Sequence, residues 1–265
     1  LHLSVHSFPT RRSSDLPDGD GLNMLFHFEH MAVDQGPEGV WDVEEWELSD
    51  LKEIVSKWQR ELAGEGWNAV YLGNHDQPRI VSRFGDDGQY REESATLLAT
   101  FLHTLRGTPY VYQGEEIGMT NADFASLEEV DDAVTVGPIE EMLAAGEIES
   151  YEDVRDLVNY RSRDHARTPV QWSDEEYAGF TDGEPWIKLN DNYTEINVEA
   201  ACAAERSIWH YYRAVIDLRH REETLVYGEY DILETADPLF AYTRTLGEET
   251  LLVVLNWGDE EQSPP

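Results

Sequence analysis

The sequence predicts an α/β fold in which a parallel sheet is followed by a smaller antiparallel β-domain. Three observations carry this. Short apolar strands alternate with amphipathic helices between residues 22 and 112, a spacing that connects parallel strands. Beyond residue 225 the pattern changes to three β-like runs close together, which reads as an antiparallel meander. The 265 residues include 8 Trp and 13 Tyr, enough apolar bulk for one or two domains with a real core and unlike a disordered composition.

The elements follow in order. Residues 1–16 carry both arginines of the first 59 residues, lack an initiator Met and contain no apolar stretch long enough for a signal peptide. The string resembles translated sequencing-adapter read-through and is expected to be a foreign or disordered leader outside the fold. Residues 22–28 (LNMLFHF) read as a buried strand. Ser49 is the expected N-cap of a helix reaching Ala63, with Leu51, Ile54, Val55, Trp58 and Leu62 at helical spacing and Gly64 and Gly66 ending it. Residues 67–72 form a second strand, 91–105 a helix stopped by Gly107, and 109–112 a third strand. Residues 123–160 are acidic and helical without a clear strand, and 207–221 form a further amphipathic helix. The runs 227–233, 239–245 and 250–256, separated by Asp237, Pro238 and Gly247, are the meander. No internal repeat is present.

Charge excludes several partners. There are 55 acidic against 19 basic residues, a net charge of −36, which repels nucleic acid and anionic membranes. The acids are dispersed through helices and loops instead of forming a tail, and only three basic residues are lysines, Lys52, Lys57 and Lys188. That pattern resembles proteins of halophiles, whose carboxylates stay hydrated in concentrated salt. No apolar run reaches the ~18 residues of a membrane helix. The single cysteine, Cys202, rules out an internal disulfide and fits a cytoplasmic location. No His/Cys cluster has metal-ligand spacing and no Gly-rich phosphate loop occurs; no organic cofactor is expected, and the sequence is silent on a metal such as calcium.

The strongest chemical signal is Asn74, His75, Asp76, Gln77, Pro78 and Arg79, directly after the strand ending at Leu72. In a parallel barrel the C-terminal strand ends face the active site. A His-Asp pair there can hold a pair of sugar hydroxyls and place fixed negative charge beside a developing cation. Taken alone, such a pair is more often a loop carboxylate that caps the next helix. Longer stretches change the weighting: LNMLFHFEH at 22–30, WNAVYLGNHDQPR at 67–79, VSRFG at 81–85, GTPYVYQGEEIGMTN at 107–121 and RSRDHARTPVQW at 161–172. Together they resemble the α-amylase family (glycoside hydrolase family 13), in particular its oligo-1,6-glucosidase and α-glucosidase type, over residues 22 to about 257.

That resemblance implies a partial (β/α)8 TIM barrel, strands six to eight, over residues 17–224, then a truncated C-terminal β-domain over 225–265. It implies that Asp76 is the family's third catalytic carboxylate, which stabilises the transition state, and that His75 bonds the terminal sugar. Arg167 of the Arg-Thr-Pro element would close the pocket around one glucose; Arg163 is the second candidate, its plain alternative being an ion pair with Asp164 or a helix end. Glu115 and Glu116 are expected to fix their loop through backbone amides. His27 and His30 are expected to be satisfied barrel histidines. Trp172 and Trp186 either stack on sugar or pack the excursion after the third strand.

The family's nucleophile and acid/base lie after strands four and five, and no matching elements precede residue 22. The resemblance therefore implies a C-terminal fragment of a retaining α-glucosidase acting on oligosaccharide or disaccharide α-glucosides, and inactive by itself. The rivals are a trehalose synthase or other transglycosylase on the same barrel, and a non-catalytic relative such as an amino-acid transporter heavy-chain ectodomain. Intact His75, Asp76 and Arg167 argue against the latter.

Overall fold

The computed structural model describes residues 24–64 and 66–263. The leader expected at 1–16, and the first two residues of the strand expected at 22–28, lie outside the described residues.

Strand β1 (Met24–Leu25) leads through helix α1 (Leu48–Glu61) to β2 (Trp67–Val70), and from there through α2 (Ile80–Phe84) and α3 (Arg91–Thr104) to β3 (Thr108–Pro109). The three strands form a parallel sheet in the order β1-β2-β3, with Met24 opposite Trp67 and Ala69 opposite Thr108. Each connection is a helical crossover, as parallel pairing requires. β1 is shorter and less buried than the sequence predicts. Among the described residues it pairs only with β2, and Phe26 and Phe28 just beyond it are 38% and 50% exposed. Tyr110 and Val111 beyond β3 are also open to solvent, so apolar surface is uncovered past the ends of both outer strands.

Helix α1 begins two residues earlier than expected. Its N-cap is Glu47, not Ser49: the Glu47 carboxylate and the Asp50 side chain exchange hydrogen bonds with each other's backbone in a capping box. Carboxylates at a helix N-terminus satisfy free amides and oppose the positive end of the dipole. At the close of the α3–β3 turn, Gly107 has φ +137°, and a Cβ there would collide with the Asn68 carbonyl. Glycine is required because the turn presses against β2.

An excursion follows β3. It carries α4 (Ala133–Ala145), α5 (Arg155–Arg161), α6 (Asp164–Arg167) and α7 (Val198–Ala203). Phe124, Val130, Ile139, Val154 and Val158 give its first part a core of its own. The chain returns through α8 (Ile208–Arg221), capped by Ser207 whose hydroxyl accepts from the His210 amide, and α9 (Glu223–Tyr227). Tyr227, expected in a strand, ends α9, and the second sheet starts at Glu229.

That sheet is antiparallel, β4 (Glu229–Leu233), β5 (Leu239–Leu246) and β6 (Glu249–Asn256), in sequence order. It packs on α1 and α3 in one continuous core that includes Leu51, Phe101, Leu102, Phe240 and Tyr242. Polar contacts reinforce the seam: Tyr230 Oη lies 3.0 Å from Ser56 Oγ, and Tyr242 Oη 2.6 Å from Thr104 Oγ1. Two buried arginines close the C-terminal end of α3. Arg219 donates to the carbonyls of His103, Leu105, Gly107 and Leu225, and Arg244 to those of Thr104, Leu225 and Gly228. These carbonyls have no helical partner and would otherwise be orphaned inside the protein.

Candidate functional site

The loop leaving β2 is built to present one carboxylate. Asn74 Oδ1 accepts from the Asp76 amide at 2.8 Å, a side-chain turn that fixes the backbone of the next two residues. Arg79 then ties the loop down. Buried at 3% exposure, it donates to the carbonyls of Gln113 at 2.7 Å and His165 at 2.8 Å and to Thr168 Oγ1 at 3.1 Å. One guanidinium thus joins the loops after β2 and β3 to the turn after α6. Burial lowers its pKa to about 10, so it remains charged at neutral pH.

Asp76 meets both predicted arginines. Arg163 Nη1 is 3.1 Å and Arg167 Nη2 3.0 Å from Asp76 Oδ1. His75 Nε2 lies 3.3 Å from Asp76 Oδ2, and Arg167 Nε donates to the His75 carbonyl at 3.0 Å. The four predicted residues therefore form one cluster. Asp76 remains 43% exposed and His75 73% exposed in their side chains, so both are open to a ligand. Arg163 stands equal to Arg167, and its partner is not Asp164. It pairs with Asp76 and with Asp132, a residue that sequence reasoning missed. Arg163 Nε and Nη2 reach the two Asp132 oxygens at 3.0 and 2.5 Å, and Arg167 Nη1 reaches Oδ1 at 3.2 Å. Burial alone would raise the Asp132 pKa. The hydrogen bonds and charge of Arg163, with help from Thr135 and Arg167, outweigh it and hold the carboxyl at about 2.

A second buried centre lies behind the site. Asp34 is fully buried and takes Arg83 at 2.6 Å, Arg161 at 2.9 Å and the Tyr160 hydroxyl at 2.8 Å. Arg83 also donates to Gln77 Oε1, beside Asp76 in the chain. Burial opposes ionisation of Asp34, but the hydrogen bonds and charges of Arg83 and Arg161 prevail and its pKa is lowered.

The two glutamates after β3 divide. Glu116 Oε2 accepts from the Gly114 amide at 2.8 Å, as expected. Glu115 departs from expectation: neither of its buried carboxyl oxygens has a hydrogen-bond partner. A Cβ on Gly73 would lie 2.7 Å from its Oε1, so the carboxyl backs directly onto the loop that carries Asp76. Burial, with the charge of Glu116 adding to it and the Tyr112 backbone and Arg79 opposing, pushes its pKa up to about 8. Its protonated form is therefore favoured at neutral pH.

His27 and His30 are buried and satisfied. His30 Nε2 faces the Tyr71 carbonyl at 2.8 Å and must donate; its Nδ1 therefore accepts, at 3.3 Å, from Nδ1–H of His27, whose ring stacks on Trp58. Burial lowers both to about 3, so both are neutral. Trp172 and Trp186 are exposed, Trp186 at 72%. A groove of about 480 Å³ opens elsewhere, between the end of β3 and α8, lined by Val111, Gln113, Glu116, Trp209, Tyr212 and Arg213 among others. None of the four predicted residues faces it. Among the described residues no group of three or more His, Cys, Asp or Glu side chains could hold a metal, and no helix is long and apolar enough to cross a membrane.

The cluster can accept hydrogen bonds from vicinal hydroxyls at Asp76, donate from His75 and the arginines, and place negative charge beside an electron-poor carbon. A lone carboxylate cannot serve as nucleophile and acid together, because those groups act on opposite sides of the bond being broken.

Comparison with known proteins shows the family of the chain. Residues 15–228 match the family profile described as "Alpha amylase, catalytic domain". Over 261 residues the chain is 53% identical to an oligo-1,6-glucosidase of Parageobacillus thermoglucosidasius, covering 97% of this chain and 44% of that protein. Among solved structures, the trehalose-6-phosphate hydrolase of Bacillus licheniformis superposes with a TM-score of 0.87 at 43% identity, over 91% of this chain and 44% of that one. Isomaltulose synthase from Klebsiella sp. LX3 superposes with a TM-score of 0.85 at 44% identity, over 89% and 43%. The chain thus spans less than half the length of these relatives.

Proposed function

The chain belongs to the α-amylase family, and from that premise we propose that it is the C-terminal part of a retaining α-glucosidase that removes glucose from the non-reducing ends of short α-glucosides. The observation that carries the reading is the clasp of Asp76 by Arg163 and Arg167 beyond the end of β2. In this reading β1, β2 and β3 are strands six, seven and eight of a (β/α)8 barrel spanning 17–224, and 225–265 begins the C-terminal β-domain. The exposed Phe26, Phe28, Tyr110 and Val111 support it, since further strands would cover them.

Each residue then has a role. Asp76 holds hydroxyls of the terminal glucose and stabilises positive charge as the glycosidic bond lengthens. His75 donates to the same sugar. Arg167 and Arg163 form the wall that admits one glucose. The nucleophile and the acid/base, which retaining chemistry needs roughly 5 Å apart, are supplied by strands four and five of the complete enzyme. The likeness to an isomaltulose synthase favours a second reading, transfer of the glucosyl group to a sugar in place of water; product analysis separates the two, free glucose against a new disaccharide.

The test is Asp76→Asn in the complete enzyme. An interaction made mainly in the transition state lowers kcat and leaves KM nearly unchanged. We expect a loss of about 100-fold or more. A variant that keeps above a tenth of wild-type kcat removes Asp76 from the catalytic set.

A further inference from the structure

We propose that Asp132 is the positioning residue of the arginine pair: it anchors both guanidinium groups so that they wall the sugar subsite without cancelling the charge of Asp76. The proposal rests on the role given to Asp76 above.

The geometry is that of a fixed anchor. Asp132 is 4% exposed. Its Oδ1 takes Arg163 Nη2 at 2.5 Å and Arg167 Nη1 at 3.2 Å, and its Oδ2 takes Arg163 Nε at 3.0 Å and Thr135 Oγ1 at 3.0 Å. Its own amide donates to Asp164 Oδ2 at 2.9 Å, and Asp164 Oδ1 lies 3.3 Å from Arg167 Nη1. Asp132 is also the N-cap residue of α4. Both its backbone and its carboxylate are therefore held.

Asp76 differs on each count. It is half-exposed and offers the arginines only Oδ1. Arg163 makes two hydrogen bonds to Asp132 and one to Asp76. Geometry of this fork-on-carboxylate kind fixes a guanidinium in orientation as well as distance. Remove the Asp132 charge and, among the described residues, the only carboxylate left within ion-pair distance of Arg163 is Asp76. The guanidinium then turns onto Asp76 with two nitrogens and consumes the charge and lone pairs that the sugar requires. Arg167 keeps Asp164 and the His75 carbonyl, so Arg163 is the side chain through which the loss acts.

This predicts a specific non-additivity. In the complete enzyme, Asp132→Asn keeps the shape of the side chain and lowers kcat/KM about 100-fold, the scale of a misplaced positioning group. Arg163→Met alone is milder, since it leaves Asp76 unblocked. The double variant Asp132→Asn, Arg163→Met then matches Arg163→Met and is more active than Asp132→Asn. A purely structural contribution would multiply the two losses. The double variant also carries no uncompensated cation, which keeps the test usable if the single variant folds poorly. A second readout needs no substrate: the Arg163 Nε–H, bonded to Asp132, exchanges faster with solvent in Asp132→Asn, while the Arg167 Nε–H, bonded to the His75 carbonyl, does not. Multiplying losses, kcat/KM within twofold of wild type in Asp132→Asn, or unchanged Arg163 exchange each overturn the proposal. A wild-type enzyme with no action on α-glucosides refutes the functional reading instead, and the exchange measurement still decides the role of Asp132.

Discussion

Asp34→Asn is the substitution whose cost the structure fixes most clearly. Asp34 has no exposed side-chain surface, and its partners Arg83 and Arg161 have 1% and 3%. The substitution keeps volume and one acceptor but removes the only carboxylate paired with these two buried cations among the described residues. Breaking a buried ion pair by removing one partner costs about 3–5 kcal/mol, because the remaining charge stays desolvated and unpaired. Two stranded arginines place Asp34→Asn at the upper end of that range. The assay is urea unfolding in molar KCl, followed by tryptophan fluorescence, with the free energy from linear extrapolation. The internal control is Glu29→Gln. Glu29 meets Lys57 at 2.7 Å, a distance similar to that of Arg83 and Asp34, but both side chains are more than a third exposed. Solvent screening limits such a pair to about 0–1 kcal/mol. A cost below about 1 kcal/mol for Asp34→Asn, or equal costs for the two variants, would refute the claim that burial sets these energies.

Stability should also fall on both sides of neutrality. His27, His30 and His165 are held neutral with pKa values lowered to about 3, chiefly by burial. Their contribution is complete above the unfolded value of about 6.5 and is lost as pH falls toward 3. Each costs about 2 kcal/mol between neutrality and pH 5, and the double variant His27→Gln, His30→Gln should flatten that slope; an unchanged slope would contradict it. Glu115 acts oppositely: raised to about 8, it weakens the fold as pH rises from the unfolded value of about 4.3 to 8, so Glu115→Gln should stabilise the protein at pH 8 and not at pH 4. The net charge of −36 should make the folded state more stable in molar KCl than in dilute buffer; equal unfolding midpoints in both would end the halophile reading.

What the sequence made legible is what depends on neighbours in the chain. Helices α3 and α8 and the three strands of the second sheet follow from local apolar spacing, and Asn74–Asp76 stood out because it follows a strand. The departures depend on partners distant in sequence. Asp132 is recognisable only when Arg163 and Arg167 fold over it, 31 and 35 residues away. Asp34 needs Arg83 and Arg161, from 49 to 127 residues on. The local sequence offers Arg163 its neighbour Asp164, whereas the fold gives it Asp76 across 87 residues. The sequence predicts a loop-fixing carboxylate at Glu115, and its burial behind Gly73 arises from the packing of the β2 and β3 loops. Ser49 lost the cap to Glu47 because a capping box satisfied two amides at once.

Glucose release from a chromogenic α-glucoside tests the central claim most directly, measured for residues 1–265 alone and for the complete enzyme that contains them. The account predicts no release by the chain alone, release by the complete enzyme, and loss of that release in Asp76→Ala. Turnover by residues 1–265 alone that Asp76→Ala abolishes would contradict it, because one carboxylate would then be doing the work of nucleophile and acid together.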